Sequence, residues 1–317
     1  MANLCVVGNC SVDLTIECSD QIIEFYELKR GESNNASFDS RYRVAFGEII
    51  STSQPVMSFG GGGGNIASTY ATLGGDVKLI GKVGKDIYGR QFVDDIERVG
   101  CHSELNFSSE HLTSQILVLV DPSKDRTFII EPGANASIEV RDTTNDHYFC
   151  VDGHSFDYEV TSRNVLKEIA NRQERGQQCI ISAADISVVE HNREVFKSFF
   201  DFKETCLLIF SEAELVALLK QNISVAISEL RDLGITALVT LGEKGTVVVS
   251  GGKSELVEAQ KVRPVDVVNL VGAGDTFLGG FLFGLIEQHL DLVGAVGLGN
   301  SCASEVIKVA GARLENS

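Results

Sequence analysis

The sequence predicts an α/β protein: a mostly parallel sheet covered on both faces by helices, with a small lid. Three observations carry that expectation. From residue 148 to 249 short apolar runs alternate with helical patterns, and repeated strand–helix units of this kind bury a parallel sheet between helix layers. Two glycine-rich stretches, residues 60–64 and 272–274, each lead straight into a small-residue helical segment. The chain has 317 residues, 44% of them hydrophobic, which suffices for one large domain with an appendage.

Residues 4–8 form an apolar run ending in glycine, the pattern of a buried first strand. Asn9, Ser11 and Asp13 follow at once. Ligands in open α/β sheets bind beyond the carboxyl ends of strands. Asp13 is therefore a candidate for holding substrate hydroxyls, against the simpler alternative of a turn or capping carboxylate. Residues 14–59 lack a standard βαβ step. Residues 21–28 are apolar-rich before Gly31, and 38–50 place Tyr42, Ala45, Phe46, Ile49 and Ile50 at helical spacing, with Ser37 positioned to cap them. These pieces suit a lid inserted into the core.

Five consecutive glycines, 60–64, are costly to order. A flexible linker is one reading, but a linker would not run directly into Asn65 and an apolar helix over 66–73. Close approach of backbone to a ligand accounts for it better, with Asn65 bonding hydroxyls. Residues 76–83 read as a strand, and Gly84 and Asp86 precede an amphipathic helix with Ile87, Phe92, Ile96 and Val99 inward, ended by Gly100. Runs 115–120 and 127–130 form a hairpin across Asp121, Pro122, Ser123 and Lys124, a second piece of lid. Arg126 heads its second strand and could reach a phosphate or a sugar, a solvated arginine being the default. A turn follows over 132–135.

Strands are expected at 148–151, 179–183, 206–210, 237–241 and 246–249, and helices at 163–175, 190–200, 212–219 and 223–233. The last helix, 292–309, carries a small-residue face with Gly297, Gly299, Asn300 and Ala303. Such a face suits core packing or close ligand approach. No internal repeat or low-complexity tract interrupts the pattern, so the division is a core of 1–13, 60–114 and 132–317 with a lid of 14–59 and 115–131.

The stretch that the rest serves is 269–284, NLVGAGDTFLGGFLFG. It reads as a loop turning into the first turn of a buried helix. Glycine lets backbone come close to a ligand, and the first N–H groups of a helix favour anions. A phosphate could sit on the amides around Ala273, Gly274 and Asp275. A carboxylate there repels phosphate, but it makes sense if Asp275 takes a proton from an attacking hydroxyl. The alternative is a tight helix entry with Asp275 as a cap.

The net charge of −17 argues against non-specific binding to nucleic acid or anionic membranes, and no stretch is long and apolar enough to span a bilayer. The start, MANLCVVGNC, lacks the basic region of a signal peptide. The eight cysteines form no Cys-x-x-Cys pair and the six histidines show no metal-ligand spacing. Buried free thiols in a reducing cytoplasm are expected. A dinucleotide fold is disfavoured, because no Gly-x-Gly-x-x-Gly follows the first strand.

Two distant motifs agree. GGGGGNIAS resembles the first signature of the ribokinase-type (PfkB) sugar and nucleoside kinases, and NLVGAGDTFLGGFL resembles their second. The likeness runs from about Leu4 to Leu314. SAADISVVEHNREVF, RTFIIEPGANA, GNSCASEVIKVAGARL and the helical early insertion resemble the adenosine-kinase-like branch most, although PGANA also resembles ribokinase. The resemblance implies a ribokinase-like three-layer α/β/α sandwich and an ATP-dependent, magnesium-dependent phosphotransferase. It implies Asp275 as the base and Gly272, Ala273 and Gly274 as an anion hole. Asp13, Gly61 and Asn65, joined by Arg126, would hold the sugar or nucleoside. Thr240, Gly242 and Gly245, with Asn300, would lie at the nucleotide. Glu214 would organise Mg2+ through water, and a monovalent cation such as K+ is a further candidate. Phe156 and Phe128 are the aromatics that could stack on adenine. The state would be monomer or homodimer, the helical insertion favouring the monomer.

The chain also departs from the family. Asn269, Leu270 and Val271 replace Asp-Thr-Thr/Asn, Ser211 replaces the Asn of Asn-x-x-Glu, and Gly62 and Gly63 replace Ser-Ala. These departures motivate an alternative, a kinase fold that binds sugar or nucleotide as a sensor. Retention of Asp275 argues against it.

Overall fold

The computed structural model describes residues 3–123, 125–141, 143, 145–309 and 311–314. Lys124, assigned above to the hairpin turn, lies outside them. The chain opens with β1 (Leu4–Val7) and β2 (Ser11–Glu17), followed by α1 (Asp20–Phe25), β3 (Ser33–Asn35), α2 (Ser40–Ser51) and β4 (Val56–Gly60). Then come α3 (Gly62–Thr72), β5 (Val77–Gly84), α4 (Ile87–Arg98), β6 (His102–Ser108) and the hairpin β7 (Ser114–Val120) and β8 (Arg126–Glu131). The middle of the chain holds β9 (Tyr148–Asp152), α5 (Glu159–Glu174), β10 (Cys179–Ser182), α6 (Ile186–His191), α7 (Arg193–Ser198) and β11 (Cys206–Ser211). It closes with α8 (Glu212–Leu219), α9 (Ile223–Asp232), β12 (Thr236–Thr240), β13 (Thr246–Ser250), β14 (Lys253–Val257), α10 (Ala273–Ile286) and α11 (Leu292–Val306).

Nine strands form the main sheet in the order β14-β13-β12-β11-β10-β9-β1-β5-β6. Pairing is parallel from β12 to β6, and β13 and β14 add an antiparallel edge. Successive side chains of a strand point to opposite faces, and both faces are buried here. Cys5 and Val7 pack with α5 to α9, while Leu4 and Val6 pack with α3, α4, α10 and α11. The result is three layers, as the alternation of apolar runs requires. β1 lies between β5 and β9, so its carboxyl end opens in the middle of the sheet edge.

The second sheet has the order β3-β8-β7-β2-β4. One face is covered by α1 and α2, whose Ile23, Phe46 and Ile49 pack on Leu14, Leu117 and Ile129. The other face, with Asp13, Ile116, Phe128 and Ile130, looks onto a cleft above the main sheet. This sheet begins at Ser11 and includes Gly60 and Ser114, so Asp13 stands on a strand of the second sheet.

Several local expectations are corrected. The helix expected from Phe38 begins at Ser40, capped by Asp39, whose carboxylate accepts from the Arg41 N–H at 2.9 Å; Ser37 is tied instead to Asn35. Ile87 is 55% exposed rather than inward. The helix expected over 190–200 starts at Ile186 and breaks at Asn192, whose amide turns away to Asp157 at 2.8 Å. The last helix ends at Val306, short of 309. All eight cysteines are free, seven of them buried. Among the described residues no helix is long and apolar enough to cross a membrane.

Candidate active site

Asp13, Gly61, Asn65, Arg126, Gly272 and Asp275, drawn from separate parts of the chain, all line one cleft of about 690 Å3 between the two sheets. Ala273 and Gly274 complete the first turn of α10 beside them.

The turn into α10 needs glycine. Gly272 has φ +78°, and a Cβ there would stand 2.3 Å from the Ala312 carbonyl oxygen. Asp275 follows as the third helical residue. The Ala273 N–H makes a long bond of 3.3 Å to Leu270 O. The N–H groups of Gly274 and Asp275 belong to the first turn, where a helix supplies no acceptor, and the space where a Gly274 side chain would stand is open. These amides and the positive end of the helix dipole favour negative charge.

Asp275 is half-buried. Asn65 donates from Nδ2 to its Oδ2 at 2.9 Å. Burial pushes its carboxyl up to about 7, with Asp152 and Asp13 adding to the rise, while the Asn65 bond and His154 hold it down. Asp13 accepts from Ser11 Oγ at 3.1 Å. Burial pushes Asp13 up to about 6, against the Ser11 bond and the Arg313 charge.

The glycine run is explained mainly by protein contacts. The helix already begins at Gly62, so the run is not all loop. A Cβ at Gly60 would stand 2.2 Å from Asp13 Oδ2, one at Gly62 2.8 Å from Asp152 Cγ, and one at Gly63 2.7 Å from the Gly8 backbone. Gly61 has φ +84° and faces the Asn9 carbonyl. The run lets α3 press onto the carboxyl end of β1. Asp152, at the end of β9, fixes that junction: it accepts from the N–H groups of Asn9 at 3.0 Å and of Gly63 and His154, each at 3.2 Å.

Arg126 is not a solvated arginine. Its Nη1 donates to Asn269 Oδ1 across the cleft, and burial lowers its pKa. The Asn269 Oδ1 also accepts from the Val271 N–H at 2.7 Å, while Nδ2 donates to the Gly311 carbonyl at 3.3 Å. A carboxylate could not make that last bond, so the amide at this departure from the family pattern has a local use.

The expected nucleotide residues stand apart from the cleft lining. Thr240 ends β12, and Gly242 and Gly245 shape the turn into β13 with φ +61° and +108°. Asn300 has structural partners: its Oδ1 accepts from Thr246 Oγ1 at 3.0 Å and its Nδ2 donates to the carbonyls of Val257 and Glu258, so its amide ties α11 to the sheet. Glu214 closes a capping box with Ser211, its Oε2 accepting from the Ser211 N–H at 2.7 Å. Phe156 is a correction, being buried in the core against Phe196 and Phe199, whereas Phe128 lines the cleft.

Four participants escape sequence reasoning. Asp152 carried one usable signal, an acid directly after a strand. His154 and Asp185 line the cleft; the His154 pKa is raised because Asp152, Asp185, Asp157 and Asp275 together outweigh the opposing effect of burial. Arg313, in the tail beyond α11, is bonded to Asn65 at 3.0 Å across 248 residues of sequence; it lies in the terminal segment GNSCASEVIKVAGARL, whose resemblance gave it no role.

The family model of the pfkB family carbohydrate kinases matches residues 1–317. The ribokinase of Staphylococcus aureus (strain COL) is 26% identical, over 84% of this chain and 88% of its own. The adenosine kinase of Saccharomyces cerevisiae (strain ATCC 204508 / S288c) is 23% identical, over 98% of this chain and 96% of its own. The crystal structure of adenosine kinase from Sinorhizobium meliloti superposes with a TM-score of 0.88 at 26% identity, covering 99% of this chain and 96% of that one.

Proposed function

The chain belongs to the pfkB family of carbohydrate kinases and is a phosphotransferase with an alcohol group as acceptor, and we propose that it transfers the γ-phosphoryl of MgATP to a primary hydroxyl of a sugar or nucleoside held in the cleft. The observation that carries this is the Asp275 carboxyl. It stands on the first turn of α10, pushed up to about 7, beside the open amides of that turn. A proton acceptor poised near neutral pH takes the hydroxyl proton as the oxygen attacks the γ-phosphorus. The bond from that phosphorus to the ADP oxygen breaks, and charge on the transferring group falls on the Gly274 and Asp275 amides and on Arg126. Phosphoryl transfer needs this positioning and neutralisation more than covalent chemistry. Asp13, Gly61 and Asn65 hold the acceptor's hydroxyls.

Magnesium bound with the nucleotide would neutralise phosphate charge, and such an ion would need few protein ligands. Glu214 fits a role through water, because its capping box occupies only Oε2. Thr240, Gly242 and Gly245 are the proposed nucleotide contacts.

A nucleoside is favoured over a free sugar. Ile116, Phe128 and Ile130 give the cleft an apolar lid wall, with Tyr158 also lining it, and a flat base covers such a surface where a sugar would not. ADP release with MgATP, measured against a panel of nucleosides and of free pentoses and hexoses, tests this. The nucleoside with highest kcat/KM should exceed any free sugar by about tenfold or more; preference for a free sugar would overturn the nucleoside assignment.

A further inference from the structure

We infer that Arg313 is a positioning residue for phosphoryl transfer: it holds the amide of Asn65 in the orientation that donates to Asp275. The inference rests on the reading of Asp275 as the base. Arg313 Nε donates to Asn65 Oδ1 at 3.0 Å, and Asn65 Nδ2 donates to Asp275 Oδ2 at 2.9 Å. Arginine has only donors, and an ionised carboxylate has only acceptor sites. The amide between them therefore has a single orientation that satisfies both neighbours. Among the described residues no other donor to Oδ1 is seen, so without the guanidinium the amide is free to flip its carbonyl oxygen toward the Asp275 carboxylate.

The guanidinium is itself held from several sides. Nη1 donates to Asp95 Oδ2 at 2.6 Å, Nη2 to Gly60 O at 3.3 Å, and Cζ lies 5.4 Å from the Phe92 ring centroid. Its side chain is 12% exposed. A Cβ at Gly64 would stand 2.7 Å from Nη2, so this glycine of the run makes room for the arginine. Such a site, built from α3, α4 and β4, is more than a surface ion pair. It lies behind Asn65, leaving the amide's other end to the cleft.

The groups that act on Asp275 are Asn65 from α3, Asp152 and His154 from the end of β9, and Asp13 from β2. Those that act on Arg313 are Asp95, Asp13, Cys10 and Cys101. Removing Arg313 has two opposed effects on the Asp275 carboxyl. Loss of the Asn65 donor raises it. Loss of the positive charge also raises Asp13, and a less charged Asp13 lowers Asp275. The Asn65 bond is the strongest influence holding Asp275 down, while Asp13 is the weakest of the named influences on it. The first effect wins, and the acidic limb of the rate profile moves to higher pH.

The test is the pH dependence of kcat and kcat/KM for the full chain and for Arg313→Ala, Arg313→Lys, Asn65→Ala and the double Arg313→Ala/Asn65→Ala, each checked for folding by urea titration. Arg313→Ala should lose about tenfold in kcat and move the acidic limb upward by about half a unit or more. Asn65→Ala should move it the same way, and the double variant no further. If the alanine protein does not fold, Arg313→Lys carries the test: it keeps a charge beside Asp95 but has no donor at the Nε position, so its limb should also move up. A limb unmoved in every folded Arg313 variant, or shifts that add in the double variant, would overturn the inference. Asp275→Asn, assayed alongside, separates the two readings. Retained turnover there removes the base itself, whereas its loss with normal Arg313 variants removes only the positioning role.

Discussion

A carboxyl group at its ordinary value of 3.8 would be a weak proton acceptor at pH 7, and Asp275 has been moved to about 7 by burial and by its acidic neighbours. Activity needs the deprotonated form, so kcat/KM should climb with pH through about 7 and level off above it; a profile flat between pH 5 and 8 would contradict this assignment. Stability has the opposite sign. Folded Asp275 binds its proton more tightly than the unfolded chain does, so its ionisation destabilises the fold as pH rises from 3.8 through about 7. Asp275→Asn removes that cost, and urea titration at pH 8 should find the variant more stable than the parent by about 1 kcal/mol or more. Gly272, Asp275 and Asn65 were legible because backbone conformation and a short motif mark them locally. Asp152 and Arg313 were not, because their partners Gly63 and Asn65 stand 89 and 248 positions away in sequence.

At the scale of elements, the junction of α3 with β1 and β9 depends on absent side chains. Gly63→Ala would drive a Cβ to 2.7 Å from the Gly8 backbone, which cannot yield as a flexible side chain can; a loss of about 1–3 kcal/mol in urea titration is expected. Gly47, on an exposed turn of α2, has nothing within 4 Å of the position a Cβ would take. Gly47→Ala should therefore stabilise by about 0.5–1 kcal/mol. Buried strands such as β1, β10 and β11 were readable as apolar runs because both their faces are covered. β6 and β14 were not, and the reason is position: they are the two outer strands of the main sheet. HSELNFS and KSELV remain largely in contact with solvent and carry no continuous apolar signal. The break at Asn192 was hidden for a different reason, since an asparagine inside a helical pattern reveals its partner Asp157 only in three dimensions.

At the scale of the molecule, the site exists because two sheets meet. The helix layer on the main sheet supplies the α10 turn, and the second sheet supplies Asp13, Arg126 and the apolar wall. The irregular segment before residue 60 and the hairpin near 120 carry sequence patterns of their own, and for that reason the meeting of Arg126 with Asn269, a contact between such separate parts, was not legible. Arg126→Gln should leave the fold intact and lower kcat/KM by about tenfold or more, read in the same ADP-release assay, because the lid then brings no charge to the transferring group. The central claim is that Asp275 is the base of a phosphoryl transfer to a hydroxyl. Its most direct test is turnover of Asp275→Asn with MgATP and the acceptor that the parent protein phosphorylates. The account predicts a kcat at least about a hundredfold lower with acceptor binding retained; near-parental turnover by that variant would contradict it.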